Sequence, residues 1–484
     1  MLNLKRRLLK HLEFSNKYLL MKGFLKMLKP RVGIYSFAES FREELYQKNS
    51  PIGKEEVQKV IRALEPFVEI VDPEHRQIRK KKDVLEVTEK ILAANVDAVL
   101  FMVPIWTAPS LVVMAGRLLN QPPLLIGNHS SGSQTLLLAV GGALAQAGIA
   151  HERIVGDPGE ASFLEKILTY IRAATAVSRL KGQTFGCIGG RSLGITTTTA
   201  DLSQWQKIFG VDIEHIDQSV IIRQAQEVDA GQVARHLQWV KQNFGKVEVA
   251  DAVLEKQVRS YLATKNLLDE LELDFIGIKC QTDLSDWYCL QCLSAALIGD
   301  PYDAEGAKEP VACSCEADHD GALTMQILKL ISGGKPTALV DFKDVKAGEL
   351  VLANCGSSPT WFAGEAAAAS ENTGQVHLLP HVFGNAGGAS VQFVFAPVQV
   401  TLARLCRQDG NYEMLLMLGE TVAKPREEMR KTGWVFPHAF VKCNVEPDQF
   451  FASMNSNHIH IVAGNYRKEV ELFCKMLNIP CRML

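Results

Sequence analysis

RVGIYSFA (residues 31–38) is a short, mostly apolar run, and EEVQKVIRAL (55–64), with its helical spacing of apolar residues, follows it. The pairing recurs: FVEIVDP (67–73) leads into VLEVTEKILAAN (84–95), and DAVLFMVPIW (97–106) and PPLLIGNHS (122–130) continue the series. Strands that read as near-continuous apolar runs are buried on both faces. Alternating with helices, they make a parallel sheet covered on either side. Ligands of such sheets sit beyond the carboxyl ends of the strands. SFAESFREE, VPIWTAP and GNHSSGSQ fall there and carry Arg42, Trp106, Asn128 and His129.

Working outward, QTFGCIGGRSLG (183–194) opens a second unit of the same style, continuing through VDIEHID (211–217), a helical stretch at 225–270 and DFIGIKCQTD (274–283). Near residue 335 the texture changes. ELVLANCG, QVHLLPHVF, SVQFVFAPVQVTLARL, EMLLMLGETV, HAFVKCNV and HIHIVAGN are strand-like with few helices between them, which suggests an antiparallel, barrel-like domain. The last amphipathic stretch, YRKEVELFCKMLNI (466–479), reads as a helix. The expected fold class is therefore α/β: two Rossmann-like, doubly wound domains at 30–178 and 179–335, then a mainly antiparallel β-barrel-like domain at 336–484.

The chain has 484 residues, which suits two or three domains, and its 47% hydrophobic and 22% charged content is that of a globular protein. A net charge of -2 argues against a nucleic-acid-binding surface. The eleven cysteines are odd in number and scattered, and read as free thiols in a reducing cytoplasm. Residues 1–29 are basic with interspersed leucines, and Lys and Arg interrupt every apolar run. They read as a peripheral helix or tail without chemistry, with a targeting segment, or an extension upstream of a start near Met21 or Met27, as the other readings. No stretch reaches the ~18–20 apolar residues of a transmembrane helix.

GCIGGRSLG (186–194) lacks the Lys of a phosphate-binding P-loop and the spacing of a dinucleotide loop. It reads as a backbone loop that brings Ser192 toward substrate hydroxyls. The densest polar cluster is VACSCEADHDGALTMQIL (311–328). Solvated carboxylates at the start of a helix account for Asp318 and Asp320. They account less well for Glu316, at the end of a buried run. PTALVDF (336–342) ends an apolar strand on Asp341, where an unpaired charge is expensive and a metal is a strong partner. With one helix between them, the two strands can place both carboxylates at one sheet end. In MNSNHIHIVAGN (454–465), His458 and His460 are two apart and share a strand face. Carboxylates with one imidazole suit Mn²⁺ or Mg²⁺ better than zinc. The cysteine pairs CLQC (289–292) and CSC (313–315) lack the second matched pair of a zinc site.

CEADHDGALTMQI, LVDF, LANCGSSP, GNAGGAS leading to VQVTLARL, and SNHIHIVAGN together resemble the L-fucose isomerase family and, more distantly, the L-arabinose isomerases. The resemblance implies a Mn²⁺ site, with Mg²⁺ or Co²⁺ as alternatives, at Glu316, Asp341 and His458, and His460 as the alternative nitrogen. It implies interconversion of an aldose and a ketose, a deoxyhexose or pentose, through an enediol, both carboxylates acting as acid and base. The expected substrate contacts are Arg42, Trp106, Ser192, Gln281, Trp287, Asn354 and Trp361, with His381 behind them. A cytoplasmic homo-oligomer, a hexamer by resemblance, is implied, with a small sugar as partner and neither nucleic acid nor membrane. The competing readings are a metal-dependent aldolase on the same residues and a non-catalytic sugar-binding or regulatory protein.

Overall fold

A computed structural model describes residues 29–71 and 76–484. The basic stretch 1–29 thus lies outside the described residues apart from Lys29. The chain divides into two compact units at Arg179/Leu180.

In the first unit, β1 (Arg31–Phe37), β2 (Glu69–Val71), β3 (Gln77–Ile78), β4 (Ala98–Met102), β5 (Leu124–Gly127) and β6 (Glu152–Val155) form one parallel sheet of order β2-β1-β4-β5-β6, with β3 also on β1. All of β4 and all but the first residue of β1 are buried, as expected of strands covered on both faces. Tyr35 and Phe37 each meet Phe101 edge to face in the core between sheet and helices. The helix expected over 55–64 begins earlier, at Glu43.

The second unit begins with β7 (Thr184–Ile188), β8 (Asp212–Ile216), the short β9 (Lys246–Val247), β10 (Phe275–Ile278), the hairpin β11 (Tyr302–Asp303) to β12 (Gly306–Ala307), and β13 (Cys313–Cys315). Four of them make a second parallel sheet, β13-β10-β7-β8. The chain continues through β14 (Thr337–Lys346), β15 (Glu349–Ala353), β16 (His377–Pro380), β17 (Ala389–Gln392), β18 (Gln399–Gln408), β19 (Asn411–Thr421), β20 (His438–Cys443), β21 (His458–Ala463) and β22 (Cys481–Met483). The antiparallel path β18-β21-β14-β15-β20-β19 returns to β18 and closes a barrel. Closure removes the open strand edges. The final strand β22 joins β19 in parallel, an element the sequence pattern did not signal. β16 lies between β17 and β9 in a separate three-stranded sheet.

The helix His319–Ile331 is buried around nearly its whole circumference, as a helix with little polar face must be. It packs on β10 and β13 on one side and on β14, β18 and β21 on the other, so the parallel sheet and the barrel share one core. Among the described residues no helix is long and apolar enough to cross a membrane. All eleven cysteines are free.

Candidate metal and active site

Glu316 leaves the end of β13 in a left-handed turn: Glu316 has φ 60° and Ala317 φ 49°, conformations that side chains other than glycine rarely adopt. The turn aims Glu316 away from the sheet and delivers Asp318 to the N-cap of the helix His319–Ile331, where its Oδ1 accepts the N–H of Gly321 at 2.9 Å. Asp341 lies within β14, which runs on to Lys346 through an irregularity between Phe342 and Asp344. The expectation that the strand ends at Asp341 is corrected accordingly. β14 belongs to the barrel rather than to the sheet of β13, so the two carboxylates come from different sheets. Asp341 is the direct cross-strand partner of His458 in β21, which puts their side chains on the same face.

Glu316, Asp341 and His458 converge. His458 Nε2 is 3.2 Å from Glu316 Oε2 and 3.5 Å from Asp341 Oδ1. Its other nitrogen, Nδ1, lies 2.7 Å from Asp318 Oδ2, which also takes an N–H from Arg404. The ring is 1% exposed, whereas the Glu316 and Asp341 side chains are 20% and 23% exposed: the nitrogen is walled in and the carboxylates reach solvent. Burial alone lowers the His458 pKa, but the hydrogen bond with Asp318 and the close carboxylate of Glu316 outweigh it and raise it to about 9. Burial would raise Asp318, but the Arg404 guanidinium and His458 hold its carboxyl far below the usual range. His460 shares the face but not the environment. Its Nδ1 is 3.2 Å from the Ala403 carbonyl, its Nε2 is buried without a partner, and burial followed by Arg404 lowers it to about 3.

The two spacings around His458 Nε2 suit the donors of a divalent cation. Ligands at about 2.0–2.1 Å in octahedral geometry put neighbouring donor atoms roughly 3 Å apart, close to the 3.2 and 3.5 Å seen here. Glu316 Oε2 is buried with no hydrogen-bond partner, although it lies 3.2 Å from the ring nitrogen. The contact is close but misaligned for a hydrogen bond, as expected of two atoms aimed at a common third. Two carboxylates and one imidazole favour ions that prefer oxygen.

The other expected contacts come from both units. Arg42 and Trp106 belong to the first unit and are exposed, Arg42 at the start of the helix Glu43–Leu64 and Trp106 at 42%. Trp287 is 88% exposed and Trp361 is 2% exposed, packed edge to face against Phe362 in the core. Ser192 is buried and donates to the Gln281 carbonyl at 3.1 Å; Gln281 itself is half-buried. Asn354 is also buried: its amide donates to the Leu339 carbonyl, and its Oδ1 takes two backbone N–H groups and the Ser357 hydroxyl. Such an arrangement organises a turn. His381 Nε2 meets the Cys355 carbonyl.

Asp318 and Asp320, expected on a solvated helix end, are both buried. Arg404 and Arg407 of β18 reach them, and Tyr412 and Trp205 complete the partners of Asp320. An arginine inside the apolar run VQVTLARL was the signal for such a pair. Lys343 Nζ and Asn457 Nδ2, each 3.3 Å from an Asp341 oxygen, were not anticipated. A second donor group joins His236, Asp303 and Glu305, with ligand atoms within 4.8 Å of one another. There the Lys265 ammonium sits 2.8 Å from both carboxylates and already supplies a cation.

Two domain models match the chain: L-fucose isomerase, first N-terminal domain, over residues 29–182, and L-fucose isomerase, C-terminal domain, over residues 352–484. Together they span more than half of it. The chain belongs to the L-fucose isomerase family. Membership places it among sugar isomerases, and the C-terminal match includes His458. The chain is 22% identical over 333 residues to the sulfoquinovose isomerase of Alkalicoccus urumqiensis, covering 68% of this chain and 70% of that one. It is 25% identical to the L-fucose isomerases of Clostridium perfringens, over 46% of this chain and 43% of the relative, and of Citrobacter koseri, over 53% and 49%. The match thus spans about half the length of these two L-fucose isomerases.

Proposed function

We propose that this member of the L-fucose isomerase family is a Mn²⁺-dependent aldose–ketose isomerase whose ion is held by Glu316, Asp341 and His458. The observation that carries the proposal is the convergence of these residues, from the turn after β13, from β14 and from β21, on a point that Nε2 of His458 and both carboxylates face. When bound there, the ion serves as a Lewis acid toward the C1 and C2 oxygens of an open-chain sugar. The carboxylates do the proton work. One takes the proton from C2 and delivers it to C1 through an enediol, and the other passes a proton from O2 to O1. Both are partly exposed, as groups that meet substrate must be. His458, buried between Asp318 and the carboxylates, holds its place and moves no proton to the sugar.

A deoxyhexose or pentose is the substrate implied by the family. The broader overlap with a sulfoquinovose isomerase, 70% of that relative against 43% and 49% of the two L-fucose isomerases, favours a sulfonated hexose as the second reading. A homo-oligomer, hexameric as in the family resemblance, and a cytoplasmic location belong to the same proposal. The test is a panel of L-fucose, other deoxyhexoses, pentoses and sulfoquinovose, incubated with Mn²⁺-loaded protein and read by ketose formation. Turnover of one class identifies the substrate. Absence of turnover across the panel, or of any bound ion after reconstitution, refutes the proposal.

A further inference from the structure

Asp318 is more heavily furnished than a helix cap requires. A cap needs one acceptor, and Oδ1 supplies it to Gly321. The second oxygen, Oδ2, faces His458 Nδ1 at 2.7 Å and Arg404. Arg404 is itself 1% exposed, and a second of its N–H groups donates to the Thr197 carbonyl at 2.8 Å. Burying such an ion pair is expensive, and a Ser or Asn would cap the helix as well without it. The fully buried carboxylate and its arginine therefore answer a need other than capping.

We infer that Asp318, clamped by Arg404, is the positioning residue that fixes the ring of His458 with Nε2 toward Glu316 and Asp341. The inference rests on the ion-binding reading above and concerns a residue outside the proposed ligand set. With Nδ1–H committed to Oδ2, a ring flip would sacrifice a charge-assisted hydrogen bond in a site closed to water. The carboxylate is itself immobile: helix N–H, arginine and imidazole hold it from three directions. Asp318 also accounts for the choice between the two histidines. His460, two residues along the same strand face, has only a carbonyl at Nδ1, and neither Glu316 nor Asp341 is among its partners. Gly321 completes the fit, because a Cβ there would lie 2.6 Å from the Asp318 carboxyl and 2.7 Å from His460 Nε2.

Asp318→Asn separates the two roles. The amide oxygen can still accept from Gly321, so the cap survives, while the –NH₂ that replaces Oδ2 can accept from neither His458 nor Arg404. Mn²⁺ binding to the full chain, followed by the EPR signal of the free ion, is expected to weaken about 10–100-fold. Pulsed EPR is expected to show an altered imidazole nitrogen coupling in any ion still bound. A second measurement needs no variant: in Mg²⁺-loaded, histidine-¹⁵N-labelled protein, His458 should carry its proton on Nδ1. Wild-type affinity in Asp318→Asn, or a proton on Nε2 in the wild type, overturns the inference while leaving the proposed function standing. A wild-type chain that binds no ion overturns both.

Discussion

Lowering the pH from about 9 to 7 should weaken ion binding at the candidate site by a calculable factor. Burial pulls the His458 pKa down, the hydrogen bond to Asp318 and the nearby Glu316 carboxylate pull it up, and the balance stands at about 9 in the metal-free protein. An ion bound at Nε2 must displace the proton held there, so ion and proton compete. Two pH units below that pKa, roughly one ring in a hundred is free of its second proton, which amounts to about 3 kcal/mol of competition. The apparent affinity for Mn²⁺ is therefore expected to fall about tenfold per unit below pH 9 and to level off above it. The assay is Mn²⁺ titration under argon across about pH 6.5–8.5, by EPR of the free ion. Parallel calorimetry in two buffers of different ionisation enthalpy should count about one proton released per ion at neutral pH. His458→Gln should abolish the slope along with most of the affinity. An affinity independent of pH over this range, or binding without proton release, would refute the assignment of His458 as a ligand held by Asp318.

Asp341→Asn is expected to abolish ion binding and isomerisation while leaving the circular dichroism and unfolding profile intact. The reason is that its hydrogen-bond partners, Lys343 and Asn457, are 3.3 Å away at a partly exposed position, where such contacts contribute only ~0–1 kcal/mol. Gly321→Ala gains about 1 kcal/mol of helix propensity but forces three atoms closer than 3 Å among rigid, buried charges, at a cost of ~1–3 kcal/mol and of aligned hydrogen bonds. A net loss in urea denaturation is expected. Gly142→Ala in the helix Ser131–Gln146 is the contrast, since its Cβ would meet nothing within 4 Å, and it should gain up to ~1 kcal/mol. Without metal, stability should fall toward both extremes of pH. Burial lowers His460 to about 3 and His438 to about 4. Their contributions are present above the unfolded value of about 6.5 and are lost as pH falls through the folded values. His458, raised to about 9, contributes below about 6.5 and loses its contribution as pH rises through 9. Urea midpoints in a chelator should trace this dome, and His458→Gln should flatten its alkaline side.

The alternation of apolar runs and helices was enough to read both parallel sheets, because burial on both faces leaves no polar period to confuse the pattern. The barrel was legible as strand-like texture, but its closure and register were not. Nothing local says that Asp341 stands opposite His458 or that β18 pairs with both β21 and β19. The two carboxylates proposed as ligands stood out in the sequence because a charge at the end of an apolar run demands a partner. The proposed preference for His458 over His460 did not stand out, because it rests on Asp318, 140 residues before His458, and on Arg404, 86 residues after Asp318. Local reasoning assigned Asp318 to the helix dipole, and half of that was right. Asn354 and Trp361 illustrate the converse. A polar or aromatic residue at a strand end resembles a ligand contact, yet the turn after β15 uses every group that Asn354 offers, and the core absorbs Trp361.

The placement of the three donors argues for a site whose precision comes from different kinds of rigidity on its two sides. Asp341 and His458 are neighbours across two strands of a closed barrel, so neither can slide without breaking the register of the ring. Glu316 comes from outside that ring, on a turn with two consecutive left-handed residues, a conformation that costs of order 1–3 kcal/mol per residue and persists only where the surroundings impose it. They do impose it here. Ala317 is fully buried, and its Cα lies against Gly277 of β10 so closely that a Cβ there would come within 2.9 Å. The helix that begins at the turn is anchored on the barrel through Asp318–Arg404 and Asp320–Arg407. The buried ion pairs thus couple the strained turn to the ring, which is what a donor set drawn from two different sheets requires if its spacing is to hold within a fraction of an ångström. On this argument the arginines of β18 serve the geometry of the site, and the stability they contribute is secondary, since apolar residues would have packed the same space at lower electrostatic cost.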